Sequence, residues 1–204
     1  MSEQDPLKNP RKIGPWTQLQ SREVYKSPWI RLREDIVTQP GGAPGIYGAV
    51  EFQNYAIGIV ALNDAGEIVL VGQHRYPLDY YSWEVPEGGC PKGTDPLASA
   101  KRELREETGV VAARWDALGC MVLSNAVSDE VGYLYLAREL TQQAAEPEPT
   151  EVLQTRWVTL DEACSDALEG RITDSVSLTA LLRARHFLSQ EQQGLSLPQY
   201  PQNP

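Results

Sequence analysis

Short apolar runs alternate with turn-forming residues through the first half of the chain. Runs rich in β-type residues at 16–26, 29–38 and 46–53 are broken by Ser27-Pro28 and by the turn-rich segment QPGGAPG. This spacing predicts an antiparallel N-terminal unit. A hairpin is predicted to follow, and its second strand contains IVLV, which is typical of a strand buried on both faces. The later strands of the prediction, including this hairpin, are 56–62, 67–76, 117–124, 131–138 and 152–158.

Three helices are predicted in the second half, at 96–108, 160–169 and 174–188. The first has clear ends, because Thr94 or Asp95 can cap it, Pro96 suits the first turn and Gly109 suits the exit. A glycine-rich loop at 87–93 precedes it. Strands mixed with a few helices indicate an α+β fold.

The pattern divides the chain into an N-terminal strand unit at 1–54, a main domain at 55–188 and a flexible tail at 189–204. The first fifteen residues and the tail are polar and contain prolines, with no period that could bury a face, so both ends are predicted to fray.

Composition narrows the possible functions. A net charge of −10 opposes binding to nucleic acid, whose affinity depends on Lys and Arg. No apolar run could cross a membrane or act as a secretory signal, so a soluble, cytoplasmic protein without a membrane partner is expected. Three cysteines without a C-x-x-C pair indicate reduced thiols. The only histidines, His74 and His186, have no obvious nucleophile beside them in the sequence.

The most informative feature is a group of carboxylates on the first predicted helix. At about 100° per residue, Glu103, Glu106 and Glu107 share one face. Like charges on one face destabilise a helix unless a cation neutralises them. One interpretation is a solvated acidic face. The other is a site for a hard divalent ion such as magnesium, next to a glycine-rich loop whose backbone, at Gly88 and Gly89, can approach an ion or phosphate.

The surrounding residues resemble the Nudix box, G-x5-E-x7-R-E-U-x-E-E-x-G-U, where U is aliphatic. Thr94 stands where the box has its first glutamate, with Asp95 beside it. The matching positions are Gly88, Arg102, Glu103, Leu104, Glu106, Glu107, Gly109 and Val110. The segments QHRYPLDYYSWEVPEGG and LSNAVSDEVGYLYLA extend the resemblance, over about residues 24–186, to the ADP-ribose pyrophosphatase branch of Nudix enzymes.

That resemblance implies an α/β/α sandwich with a mixed β-sheet, and a homodimer whose N-terminal strands help to build the partner's site. It implies a Mg²⁺ cofactor, with Mn²⁺ as a possible substitute. The implied reaction is attack by water on the pyrophosphate of ADP-ribose or a related nucleoside diphosphate sugar. The alternatives are a GDP- or UDP-sugar hydrolase, a non-catalytic ADP-ribose-binding module, and a hydrolase of dinucleoside polyphosphates or nucleoside triphosphates.

Residue roles follow by position from the same resemblance. The ions would be bound by Glu103, Glu106, Glu107 and the backbone oxygen of Glu87. Arg102 would hold the carboxylates in place. The substrate would be contacted by Arg75, Glu84, Gly88, Gly89 and Asp129. Trp29 and Tyr47 would sandwich the base, although either ring could instead serve core or dimer packing.

The general base is expected outside the helix. The resemblance implies a mobile acidic loop at 124–130 that closes over the substrate, and Glu130 is its leading candidate. A plain solvent-exposed turn is the alternative interpretation of this loop. Asp129 and Glu106 are the other candidates for the base.

Overall fold

The structure is a computed structural model that describes residues 6–143 and 152–203. Its strands are β1 (Pro6–Ile13), β2 (Trp16–Lys26), β3 (Ile30–Thr38), β4 (Pro44–Phe52), β5 (Asn54–Ala61), β6 (Glu67–Arg75), β7 (Tyr80–Glu84), β8 (Glu87–Pro91), β9 (Val110–Val122), β10 (Val131–Gln142) and β11 (Gln154–Thr159). Its helices are α1 (Pro96–Thr108), α2 (Leu160–Leu168) and α3 (Ser175–Gln192). The predicted α+β class is confirmed.

The first compact unit contains residues 1–54 together with 122–130. Its sheet has the order β1-β2-β3-β4, and each neighbouring pair is antiparallel. The predicted antiparallel N-terminal unit is therefore confirmed. The unit also recruits a distant segment, because the Val50 N–H donates to the Val127 carbonyl at 2.8 Å and the Asp129 N–H donates to the Val50 carbonyl at 3.2 Å.

The second compact unit contains residues 55–121 and 131–204. It holds a four-stranded sheet of order β8-β5-β10-β9, in which β5 and β10 are parallel, and a three-stranded antiparallel sheet of order β11-β6-β7. Residues 68–71 of β6 are all buried, as predicted for a strand covered on both faces.

Helix α1 lies at the bounds predicted for it. The Asp95 carboxylate accepts the Leu97 N–H at 3.1 Å, and Gly109 adopts the left-handed conformation (φ 72°) that ends the helix. Ala100 and Leu104, four residues apart, are fully buried in one cluster with β5 residues including Ile57. This packing fixes the rotation of α1, and with it the directions of the polar residues between the core positions.

The predicted loop at 87–93 is wrong over its first five residues. Residues 87–91 form β8, and a turn follows in which the Thr94 N–H donates to the Pro91 carbonyl at 3.1 Å. Two glycines and a proline conceal this strand in the sequence. The structure accommodates them because β8 is an edge strand with Pro91 at its end, where a missing N–H costs little.

The predicted frayed ends also differ from the structure. β1 begins at Pro6, and α3 continues to Gln192. Beyond α3 the Tyr200 hydroxyl donates to the Arg183 carbonyl at 3.1 Å, and the Pro201 carbonyl accepts the Cys120 N–H at 2.7 Å. A single aromatic anchor in a polar segment leaves no periodic signal, so sequence patterning missed it.

Cys90, Cys120 and Cys164 are buried free thiols, as predicted. Among the described residues, no helix is both long and apolar enough to cross a membrane.

Candidate functional site

Arg102 lies between two of the α1 carboxylates. Its Nη1 donates to Glu106 Oε2 at 2.6 Å and its Nη2 donates to Glu103 Oε1 at 2.5 Å. Nη2 also reaches the Gly89 carbonyl in β8 at 3.0 Å. One guanidinium therefore neutralises two carboxylates and ties α1 to the neighbouring strand.

Gly88 allows the Glu103 carboxylate to lie against β8. A Cβ added at Gly88 would approach Glu103 Cδ to 2.2 Å and both carboxylate oxygens to 2.5 Å. Non-bonded atoms do not approach each other this closely, so any larger residue at this position would displace the Glu103 carboxylate. Burial raises the pKa of Glu103 above its ordinary value, although the charge of Arg102 opposes this shift.

Glu107 makes a second connection from α1 to β8. Its side chain is buried, and Oε2 accepts the backbone N–H of Glu87 at 3.0 Å. The carboxylates of residues 103 and 107 thus flank the start of β8 from the same helix. This arrangement brings α1 and the backbone of residues 87–89 into one site.

A second cluster joins β6, β7 and the start of β8. Arg75 Nε donates to both oxygens of Glu84, at 2.9 and 3.1 Å, and its Nη2 contacts both Glu84 and Glu87. Burial alone would raise the pKa of Glu84, but the hydrogen bonds and charge of Arg75 outweigh it, so this pKa lies below its ordinary value. Burial, then the negative charges of Asp174 and Glu84, raise the pKa of Glu87 well above its ordinary value.

The beginning of α3 completes this cluster, and sequence reasoning missed it. Asp174 caps α3 by accepting the Ser177 N–H at 2.6 Å, and its charge acts on both Arg75 and Glu87. Ser177 is fully buried and accepts the backbone N–H of Val85 at 3.0 Å. Asp174 has the sequence context of an ordinary helix cap, so only its position in the fold reveals its electrostatic effect on Arg75 and Glu87.

The donor set suits a hard divalent cation, since carboxylate and backbone oxygens are the ligands that Mg²⁺ prefers. Six carboxylates lie around these clusters, and Arg75 and Arg102 each pair with two of them. The acidic members are Glu84, Glu87, Glu103, Glu106, Glu107 and Asp174. In residues 6–143 and 152–203 no three acidic, histidine or cysteine side chains are already arranged to hold an ion.

The proposed base-binding aromatics belong to the N-terminal unit. Trp29 is 69% exposed and so does not serve core packing within the chain. Tyr47 meets Trp16 edge to face, with ring centroids 5.3 Å apart, and its hydroxyl donates to the Ala126 carbonyl at 2.6 Å. Tyr47 and Trp16, but not Trp29, line a cavity of about 390 Å³ that lies wholly within this unit.

The acidic loop expected at 124–130 is tied to β4. Besides the Tyr47 hydroxyl and the two Val50 backbone hydrogen bonds, Asp129 Oδ1 accepts the Phe52 N–H at 2.7 Å. The carboxylate of Asp129 therefore holds the loop in place. Glu130 ends this segment, and its carbonyl accepts the Leu123 N–H at 3.0 Å.

Comparisons with known proteins agree with these features. Residues 53–181 match the NUDIX domain, and residues 16–50 match the nucleoside diphosphate sugar hydrolase N-terminal domain. The chain is 33% identical over 168 residues to the ADP-ribose pyrophosphatase of Mycobacterium tuberculosis, covering 80% of each protein. It is 32% identical over 165 residues to the methanol dehydrogenase activator of Bacillus methanolicus, covering 80% of this chain and 89% of the relative.

A crystal structure of an ADP compounds hydrolase has the same fold, with a TM-score of 0.77 at 20% identity. The match covers 91% of this chain and all of the other.

The contact between Gly88 and Glu103 predicts strong energetic coupling. Gly88→Ala should lower the free energy of unfolding, because the new methyl group displaces the Glu103 carboxylate and so disrupts its ion pair with Arg102. The double mutant Gly88→Ala/Glu103→Ala should recover part of the lost stability. The coupling free energy between the two positions should be at least about 1 kcal/mol in urea denaturation. Gly48→Ala is the control, since no atom lies within 4 Å of its ideal Cβ. Additivity within about 0.5 kcal/mol would contradict the predicted overlap.

Proposed function

Because this chain belongs to the NUDIX family, we propose that it hydrolyses the pyrophosphate bond of a nucleoside diphosphate sugar, with ADP-ribose as the leading substrate. The proposal is carried by one observation, the acidic site on α1 and β8 in a chain with this N-terminal domain. The α1 carboxylates and the backbone of β8 form an acidic oxygen-donor site, in a chain whose residues 16–50 match the nucleoside diphosphate sugar hydrolase N-terminal domain. The similarity to the mycobacterial ADP-ribose pyrophosphatase supports ADP-ribose as the substrate.

In this reaction water attacks one phosphorus of the diphosphate, and a nucleoside monophosphate and a sugar phosphate are released. Members of the family generally use a divalent metal, and Glu103, Glu106, Glu107 and the backbone oxygen of Glu87 would hold it here. Bound Mg²⁺ or Mn²⁺ would neutralise phosphate oxygens and lower the pKa of the attacking water.

The protein's own groups would position and neutralise the substrate. Arg75, fixed by Glu84, would contact a phosphate or sugar oxygen, and Gly88 and Gly89 offer backbone close to the diphosphate. Arg102 would act as the counter-ion of Glu103 and Glu106 before the substrate arrives, which relieves like-charge repulsion on α1. Trp29 and Tyr47 would stack on the base.

The deciding experiment is phosphate-coupled turnover of ADP-ribose, GDP- and UDP-hexoses, a dinucleoside polyphosphate and a nucleoside triphosphate, with Mg²⁺ present. We expect ADP-ribose to be preferred and turnover to stop in excess chelator. Preference for a different nucleoside diphosphate sugar would change the substrate but not the reaction. Tight ADP-ribose binding without turnover of any compound would instead show that the protein is a non-catalytic binding module.

Glu107→Gln should lower turnover by orders of magnitude with little effect on the melting temperature. The amide oxygen of glutamine can still accept the Glu87 N–H, so the link between α1 and β8 survives while one negative charge is lost. Turnover and Mn²⁺ affinity should fall together. A fully active variant would show that Glu107 binds no metal.

For the general base we propose Glu130, with Glu106 as the competitor. Glu130→Gln should reduce turnover about 10²- to 10⁴-fold with little change in substrate affinity, the usual effect of removing a positioned base. Asp129→Asn is the comparison variant for turnover, because the Asp129 carboxylate already accepts the Phe52 N–H and thereby holds the loop. If Glu130→Gln stays within a few fold of wild type and Glu106→Gln is inactive, the base lies in α1.

We also propose a homodimer formed through the N-terminal unit. This unit carries several exposed apolar side chains, and apolar surface of this kind can form an interaction site. They include Ile13, Val24, Tyr25, Trp29 and Ile46. Light scattering at micromolar concentration should give twice the chain mass, and Ile46→Lys should shift the population to monomer. Val152→Lys, at a still more exposed position outside this unit, should not. A wild-type monomer would contradict the proposal.

A further inference from the structure

Residues 84–87 cross from the three-stranded sheet to the four-stranded sheet of the second unit. Glu84 ends β7 and Glu87 begins β8. Val85 and Pro86, the two residues between them, are both buried. The placement of Glu84 relative to the Glu87 backbone therefore depends on how this two-residue connection is held.

Three backbone groups of this connection form hydrogen bonds, each with a different element of the fold. The Pro86 carbonyl accepts the Ile59 N–H of β5 at 2.9 Å, and the Glu87 N–H donates to Glu107 of α1 at 3.0 Å. Pro86 has no N–H to offer. The buried Val85 N–H is satisfied by Ser177 Oγ, 92 positions along the chain, at 3.0 Å.

Ser177 is itself rigidly held in the first turn of α3. Its side chain is fully buried and its backbone N–H donates to Asp174 Oδ2 at 2.6 Å. The neighbouring Val176 packs so closely over β5 that a Cβ at Gly58 would meet Val176 Cγ1 at 2.5 Å. The apolar side chains of Val176, Ala180, Leu181, Ala184 and Phe187 are buried on the same helix and already supply apolar burial for its docking. Docking therefore does not require a hydroxyl at 177, whose burial is unfavourable unless it makes a hydrogen bond.

We propose that Ser177 is a positioning residue for the candidate active site. Its Oγ fixes the Val85 amide and thereby sets the register in which Glu84 meets Arg75 and the Glu87 backbone meets Glu107. The part of this inference that concerns catalysis rests on the proposed function. The part that concerns the connection itself does not, because it can be measured without metal or substrate.

The test compares Ser177→Ala with wild type by site-resolved amide hydrogen exchange, by Mn²⁺ affinity without substrate and by turnover of ADP-ribose. In the variant we expect faster exchange at both Val85 and Glu87. Mn²⁺ affinity and turnover should each fall about 10- to 100-fold, the usual effect of losing a group that orients a ligand. Ser177→Thr keeps the hydroxyl and should restore protection at Val85 and most of the activity.

Two control variants separate positioning from stability. Val176→Ala should lower the melting temperature but leave exchange at Val85 and Glu87 and Mn²⁺ affinity close to wild type. Thr179→Ala removes a hydroxyl from the same helix that bonds only within it, to the Ser175 carbonyl at 2.8 Å, and should change none of the readouts.

The proposal is overturned if Ser177→Ala leaves Glu87 protected, or if Val176→Ala produces the same losses. If wild type neither binds Mn²⁺ nor hydrolyses any nucleoside diphosphate sugar, the proposed function fails. Exchange at Val85 and Glu87 then still decides whether Ser177 positions the connection.

Discussion

Repulsion among closely spaced carboxylates is the constraint on which the second unit depends. Glutamates of α1, β7 and β8 and the cap of α3 converge around Arg75 and Arg102, and burial increases the free-energy cost of keeping each one charged. The fold limits that cost in two ways. Guanidinium groups are shared between pairs of carboxylates, and backbone N–H groups are directed at Glu107 and Asp174. A bound cation would lower that cost further.

The sequence predicted α1 well, because its signals are local. A cap at Asp95, Pro96 in the first turn and a left-handed Gly109 mark the same bounds that tertiary packing selects. The glutamates on α1 could be placed on one face for the same reason. β8 was missed because its strand character comes from pairing at a sheet edge and not from its own composition, EGGCP. Asp174 and Ser177 were missed because nothing within a few residues of them indicates contact with a segment about ninety positions earlier.

The N-terminal unit shows another limit of sequence reasoning. Residues 124–130 were expected to form a loop, and the structure adds that Asp129 and the backbone at Val127 extend the hydrogen bonding of β4. A composition of Ser, Asn and Asp is common to free turns and to segments that add to a sheet edge, so it does not distinguish them. The distinction depends on β4 being the last strand of its sheet, so that its outer edge at Val50 can accept another segment. This is known only once the strand order β1-β2-β3-β4 is known.

The anchoring of residues 84–87 also limits how this protein could change length. Loops at the surface commonly absorb insertions and deletions. Here one added or removed residue would turn the side chains that follow it to the opposite face of their strand. It would also place a new N–H or carbonyl in an interior where β5, α1 and α3 already use the existing ones. Length variation between β6 and α1 should therefore concentrate in the exposed turns at 76–79 and 92–94, while the connection between β7 and β8 keeps a fixed length.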